Sequence, residues 1–395
     1  MQSDLSFSHE SINFDLLKKR AYNLRWATLP EGVIALTAAD PDFPVAPEIR
    51  QAIMDYAEGG VFSYGPPEGL PEFRNAAAQM VTERKRLPCS VNQILAMDSA
   101  ASAMFYVAKL ILKPGDEALI FDPVDFLFKA SVESAGAKAV YIPVDASTGK
   151  IDFDLLKRKI NPRTKMFGLC NPQNPVGRVF NQEELQELGK IVLQNDLWIM
   201  NDEIWSDIVY SPHRHINIAS IDPKIASRTF SIYGLSKTFG LAGLRVGFVV
   251  SPNQELHDQL VEVAQVKTTA VGVSTLSQIA ATAAYEKAWY WAEAFVKHLQ
   301  GNRDYAVSRL QQIPGVRCRS PEGTYVVFPE VRSFEKTGTV LAQELLEKAR
   351  VAVVPGSPIW FGPGAEGHIR ICFSTSRKVL EEGLNRIENY LRNCG

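Results

Sequence analysis

Cysteine is scarce in this chain, with five in 395 residues, at Cys89, Cys170, Cys318, Cys372 and Cys394. Odd in number and widely scattered, they exclude a disulfide framework and suit reduced thiols in a cytoplasmic protein. Charge of one sign is also lacking: 44 acidic residues stand against 42 basic ones. With no basic excess to condense on phosphate backbones, nucleic acid is not expected as a main partner. No apolar run approaches the roughly 20 residues that span a bilayer. The opening residues, MQSDLSFSHE, lack a basic segment followed by an apolar one and do not read as a secretory signal. A Walker-type GxxxxGK[ST], HExxH, CxxC and GxSxG are all absent. Of the six histidines only His213 and His215 are close, and they flank Arg214 beside a proline, which reads as a surface turn; no metal site is expected. One GxGxxG occurs, at Gly362, Gly364 and Gly367, but Pro363 lies inside it and a strand follows it, so it reads as a loop.

What is present is an ordinary globular composition, 46% hydrophobic and 22% charged, long enough for two or three domains. Short apolar runs at 93–97, 117–121, 139–142, 166–169, 197–200, 229–232 and 246–250 read as strands. Helical patterns separate several of them, at 99–112, 153–160 and 182–194. This alternation predicts an α/β fold with a mostly parallel central sheet covered on both faces. The C-terminal pattern differs: one long helix over 286–311, a strand at 324–328, a helix at 340–348, a strand at 369–373 and a helix at 377–391. It predicts a smaller α+β domain. The expected division is 1–45 packing with the small domain, 46–290 as the large domain and 291–395 as the small one.

The chemistry concentrates at strand ends. In SIYGLSKTFGLAGLRVGF (231–248) a strand runs into small residues around Lys237, and Arg245 follows just before the next strand. A lysine with little steric cover can form a Schiff base with an aldehyde cofactor. NPQNPVG (171–177), NDEIWSD (201–207) and MDSAASAM (97–104) place Asn174, Asp202 and Ser99 after three other strands. Ligands of α/β sheets bind at carboxyl strand ends, and a helix N-terminus suits a phosphate. Taken singly, Asp202 reads equally as a helix cap, Asn174 as a turn residue, Arg370 as a partly buried ion pair and Tyr64 as a core aromatic.

Together, and in order with YGPPEGLPEFR (64–74), KPGDEALIFDP (113–123) and HIRICFSTS (368–376), these segments resemble the fold type I pyridoxal 5′-phosphate (PLP) enzymes of the class I/II aminotransferase family, over about residues 33–391. The resemblance implies the cofactor and a set of roles. Lys237 would hold PLP and move the substrate Cα proton; Asp202 would pair with the pyridine nitrogen; Asn174 would bond the ring hydroxyl oxygen. Ser99, the backbone of Ala100 and Ala101, Ser236 and Arg245 would hold the phosphate. Arg370 would clamp the substrate α-carboxylate, with Asn174 and Ala39 beside it. Tyr64 would reach the phosphate of a neighbouring subunit, which implies a homodimer with shared sites. Amino acids and 2-oxo acids are the implied small-molecule partners, in the cytoplasm and without membrane.

Three positions depart from the common pattern. Trp205 and Gly234 stand where Tyr and Ser are usual. Asp125 stands where an aromatic usually stacks on the cofactor ring: either Phe126 takes that role, or the ring face is polar, or the register slips by one. LTAADPDF (36–43) and DEIWSDIVYSPHRHINIASI (202–221) resemble the cystalysin-like C–S β-lyase subgroup. The expected activity is transamination, with β-elimination as the alternative and a non-catalytic PLP-fold protein as the third reading. Residues 267–277 offer no arginine for a second substrate carboxylate. Trp205 and Phe126 would suit an apolar or aromatic substrate side chain; Asp125, an amino or guanidinium group.

Overall fold

The computed structural model describes residues 7–146 and 148–393, so Cys394 and the first six residues lie outside it. Seven strands form the central sheet: β1 (Ile94–Met97), β2 (Glu117–Asp122), β3 (Lys138–Pro143), β4 (Thr164–Cys170), β5 (Trp198–Asp202), β6 (Thr229–Gly234) and β7 (Gly247–Val250). Their spatial order is β1-β7-β6-β5-β4-β2-β3. The pairs β2–β3, β2–β4, β4–β5 and β5–β6 are parallel, and β7 runs antiparallel to both its neighbours. The expected mostly parallel α/β sheet is therefore present.

Side chains alternate across each strand, and both faces are apolar because helices cover both. On one face Ala118, Ile120, Met166 and Met200 join a cluster with Val107 of helix α1 (Ala100–Ile111). On the other, Leu119, Phe121, Phe167, Leu169 and Ile199 pack with Leu185 and Leu188 of the helix Gln182–Gln194. That helix starts with a reciprocal capping box between Asn181 and Glu184. Phe248 of β7 is fully buried between Tyr233, 4.9 Å away in a stacked pair, and Phe73, edge-on at 6.0 Å. Phe248→Ala is expected to destabilise the protein by about 3–5 kcal/mol. Chemical denaturation of the variant checks this, and a loss below about 1 kcal/mol would contradict the packing described.

Beyond the sheet, Val354–Pro355, Ile369–Cys372 and Val326–Val327 form a three-stranded antiparallel sheet, with Ile369–Cys372 in the middle. Ile34–Ala35, near the N-terminus, pairs in parallel with Val351–Ala352. The helix Arg377–Arg392 packs on this C-terminal part, with Leu380, Leu384 and Ile387 buried.

Two expectations are corrected here. The single helix over 286–311 is two helices, Thr275–Lys287 and Trp289–Gln311, parted at Ala288. Neither glycine nor proline marks the break. Around it Trp289 stacks on Tyr285 while Trp291 turns to Phe295 and Phe7, so tertiary packing of the aromatics accompanies the change of direction. His215 is not a surface turn residue: it is largely buried, its Nε2 2.9 Å from Glu203 Oε2. Among the described residues no cluster of His, Cys, Asp and Glu has the form of a metal site. The described cysteines, Cys89, Cys170, Cys318 and Cys372, are free. No helix of the described residues is long and apolar enough to cross a membrane. Gly362 and Gly367 flank a single 3-10 turn, Pro363–Ala365, that contains Gly364, and the Gly364 N–H donates to both carboxylate oxygens of Asp122 at 2.8 and 2.9 Å.

Candidate active site

The parallel strands deliver their following residues to one end of the sheet. After β1 come Ser99 and the start of α1; after β2, Asp125 and helix α2 (Phe126–Ser134); after β4, Asn174; after β6, Ser236 and Lys237. Asp202 is the last residue of β5, and Trp205 follows it. The antiparallel β7 begins where the others end, which puts Arg245 at the same edge. A cleft of about 410 Å³ opens there. Of the residues singled out in the sequence, Ala39, Ser99, Ala100, Ala101, Phe126, Asn174, Asp202, Trp205, Ser236, Lys237, Arg245 and Arg370 all line it. Tyr64 does not: it is 84% exposed, which removes the core-aromatic reading.

Lys237 enters from the β6 loop. Its Nζ donates to the carbonyl of Ala39 at 2.6 Å and lies 5.4 Å from the centre of the Trp205 ring. Burial lowers its pKa below the usual lysine range; Asp40 acts against that and Arg370 with it. The amine therefore reaches its neutral, nucleophilic form more readily than an exposed lysine. Next in the chain, the Thr238 hydroxyl donates to Asp207, which also pairs with the buried Lys85 at 2.5 Å, so the loop is anchored from behind.

Asp202 lines the cleft, and among the described residues its carboxylate accepts one hydrogen bond, from Ile204 N at 3.1 Å. No cation reaches it within salt-bridge distance among the described residues, and burial pushes its pKa up to about 7. A buried carboxylate of this kind is matched by a cationic or protonated nitrogen. No helix follows it directly, so it is not the cap of one. At the start of α1, Ser99 accepts a hydrogen bond from Ser102 N at 3.0 Å. The Ala100 and Ala101 N–H groups of this first turn have no intrahelical partners, a setting that suits an anion, and Ser236 and Arg245 line the same cleft. Gly247 is required beside it: a Cβ there would lie 2.5 Å from the Tyr233 carbonyl oxygen and 3.0 Å from Ala100 N.

Arg370 comes from the three-stranded sheet and is buried. Its Nη1 donates to Asn174 Oδ1 at 3.1 Å and its Nη2 to the Thr37 carbonyl at 3.5 Å, while Nε has no partner. It forms no ion pair within the described residues, contrary to that reading of it. A buried guanidinium with an unpartnered N–H has the chemistry to receive a carboxylate.

Other residues, Trp360 and Phe361 lining the cleft and Asp40 and Tyr325 beside it, carried no signal as site residues in the sequence. Asp40 lies in the ADxDF stretch and reaches Lys237 electrostatically. Trp360 and Phe361 come from the short helix Pro358–Phe361, with Trp360 edge-on to Phe126 at 5.7 Å. Tyr325, whose hydroxyl donates to the Ala39 carbonyl at 3.1 Å, packs edge-on against Trp205 at 4.7 Å. These residues arrive from distant parts of the chain and follow no local pattern.

A mixed seven-stranded sheet with a lysine, an aspartate and a helix N-terminus gathered at one edge defines a fold type I PLP-dependent class of protein. Comparison with known proteins specifies it further. The sequence profile described as aminotransferase class I and II matches residues 31–387. The chain is 31% identical to an aspartate aminotransferase of Pyrococcus abyssi over 364 residues, covering 91% of this chain and 92% of that one. The crystal structure of an aromatic aminotransferase from Pyrococcus horikoshii superposes with a TM-score of 0.86 at 30% identity, covering 92% of this chain and 97% of that one. Cystalysin from Treponema denticola, a structure that contains PLP, superposes with a TM-score of 0.90 at 24% identity over 99% of each chain, which is a likeness of fold. The chain belongs to the class I and II aminotransferase family.

Proposed function

We propose that the protein is a PLP-dependent aminotransferase acting on L-amino acids with a single carboxylate and an apolar or aromatic side chain. The observation that carries this is the unpartnered chemistry of the cleft: among the described residues, a buried carboxylate without a cation at Asp202, a buried guanidinium N–H without an acceptor at Arg370, and in the same cleft an amine of lowered pKa at Lys237. The same three groups fit the cofactor. Asp202 would face its ring nitrogen, the N–H groups of Ala100 and Ala101 with Ser99, Ser236 and Arg245 would hold its phosphate, and Lys237 would bond its aldehyde carbon. When bound, PLP supplies an electron sink that stabilises negative charge at the substrate Cα.

The chain's own residues do the rest. Arg370 holds the substrate carboxylate and so fixes which Cα bond faces the cofactor. Lys237, once free and neutral, takes the Cα proton on Nζ, and the ammonium so formed then gives the proton back as the acid. The Trp205 ring lies 5.4 Å from Nζ and Tyr325 packs edge-on against that ring, which gives the lysine an apolar neighbour. The arginines that line the cleft are Arg245 and Arg370, and Phe126, Trp360 and Phe361 line it with apolar surface. With Arg245 at the phosphate, no further guanidinium is left for a side-chain carboxylate, which disfavours a dicarboxylic substrate.

The exposed Tyr64 stands among other exposed apolar residues, Val61 and Phe62, and this supports a homodimer in which it crosses to the partner's phosphate site. The division at 45 and 290 remains part of this reading, as does a cytoplasmic role in amino acid biosynthesis.

The test is to incubate the PLP-loaded protein with a panel of L-amino acids that includes cystathionine and cysteine. Stoichiometric 2-oxo acid, with the amino group passed to an added oxo acid, is expected. Pyruvate, ammonia and thiol accumulating instead would make it a β-lyase. Arg370→Lys loses two-pronged recognition and is expected to raise KM for the amino acid about 10- to 100-fold. Steady-state kinetics check this, and an unchanged KM would remove Arg370 from the carboxylate.

A further inference from the structure

Asp125 occupies the position where the family resemblance implies a stacking aromatic. It caps α2, with Oδ1 accepting from Leu127 N at 3.1 Å. Its other oxygen, Oδ2, accepts from Asn174 Nδ2 at 2.9 Å. Asn174 Oδ1 in turn accepts from Arg370 Nη1 at 3.1 Å. The backbone ties the same two loops together, Asp125 N donating to the Asn174 carbonyl at 3.1 Å.

This relay has only one internally consistent orientation. An ionised carboxylate can only accept and a guanidinium can only donate. An amide between them must turn its NH₂ to the aspartate and its oxygen to the arginine. The flipped amide would set donor against donor at Arg370 and acceptor against acceptor at Asp125. We infer that Asp125 is a positioning residue: through Asn174 it sets the direction of the Arg370 guanidinium toward the substrate carboxylate. An aromatic at this place could cover a ring face but could not accept from Asn174. The inference rests on the proposed function, which assigns the carboxylate to Arg370.

The opposing effect is purely electrostatic. A negative charge beside Arg370 weakens its pull on any incoming carboxylate. Removing that charge without loss of positioning would tighten carboxylate binding, whereas losing the relay would weaken it. The two effects predict opposite signs.

Asp125→Asn is isosteric and keeps a capping oxygen for Leu127 N, so α2 stays capped. Its second atom becomes a donor that faces the Asn174 NH₂, forcing that amide to turn and present its NH₂ to Arg370. Asp125→Ser also keeps the cap but is too short to reach Asn174. The measurements are the dissociation constant of propionate, a non-reacting monocarboxylate, and the split between KM and kcat for the amino acid. Propionate binding is read from the visible absorption of the PLP-loaded protein. Asp125→Asn is expected to weaken propionate and raise KM about 10-fold or more, with a smaller change in kcat, as for loss of a charge-assisted hydrogen bond. Asp125→Ser is expected to act in the same direction. Propionate binding that is unchanged or tighter in both variants would overturn the inference while leaving the aminotransferase reading intact. A wild-type protein that takes up no PLP would overturn both.

Discussion

Lys237→Ala is expected to lower turnover at least about 10³-fold and to abolish covalent attachment of the cofactor. The lysine has two tasks in this account, to hold PLP and to move the Cα proton, and alanine can do neither. Folding should survive. The amine's one hydrogen bond goes to the Ala39 carbonyl, which keeps the Tyr325 hydroxyl as a second donor. Burial disfavours the charged form of this lysine, so its removal relieves a cost as well as deleting a bond. Lys237→Arg is expected to fail equally, because guanidinium stays protonated and cannot act as a base or amine nucleophile. Turnover in either variant within ten-fold of wild type would sink the mechanism.

Asp202→Asn carries the second large effect, a loss of turnover of roughly 10²-fold or more, from an uncharged partner at the cofactor ring nitrogen. Its influence on stability runs the other way. The Asp202 pKa is raised in the folded, cofactor-free protein to about 7 from the ordinary carboxyl range. Between pH ~4 and ~7 the folded state therefore holds a proton that the unfolded state has released. Stability contributed by this group falls as pH rises through that window, and above it the full penalty of a buried carboxylate is present. Without cofactor at pH 8, Asp202→Asn should be as stable as wild type or more so, by up to a few kcal/mol. Denaturation with and without PLP checks both halves: the variant should gain less from added PLP than wild type does. A variant that is less stable without PLP and fully active with it would reverse the assignment.

The central strands were legible because each is a short apolar run bounded by polar or turn residues, and observed bounds such as Thr229–Gly234 fall close to those read from the pattern. The site was legible for a related reason. Parallel strands deposit whatever follows them at one edge, so ordered motifs at strand ends must converge there. Lys237, Asp202, Asn174 and Arg370 do line one cleft. What stayed hidden were pairings across long chain separations. The Lys237 amine meets the Ala39 carbonyl 198 residues away, and Arg370 meets Asn174 across 196. Periodicity reports which face of an element is apolar and cannot report which distant loop lies opposite. Asp125 is the clearest example: its departure from the pattern was visible, but its partner was not until the fold brought the loops after β2 and β4 together. His215 misled for the same reason, since a proline-flanked polar turn carries no sign of the buried Glu203 beneath it.

The central claim is that Lys237 carries the cofactor, and borohydride reduction of the PLP-loaded protein followed by peptide mass mapping tests it most directly. The account predicts one phosphopyridoxyl group per chain, located on the peptide that contains Lys237 and absent from Lys237→Ala. A group on another lysine, or none at all in a protein that still transfers amino groups, would contradict it.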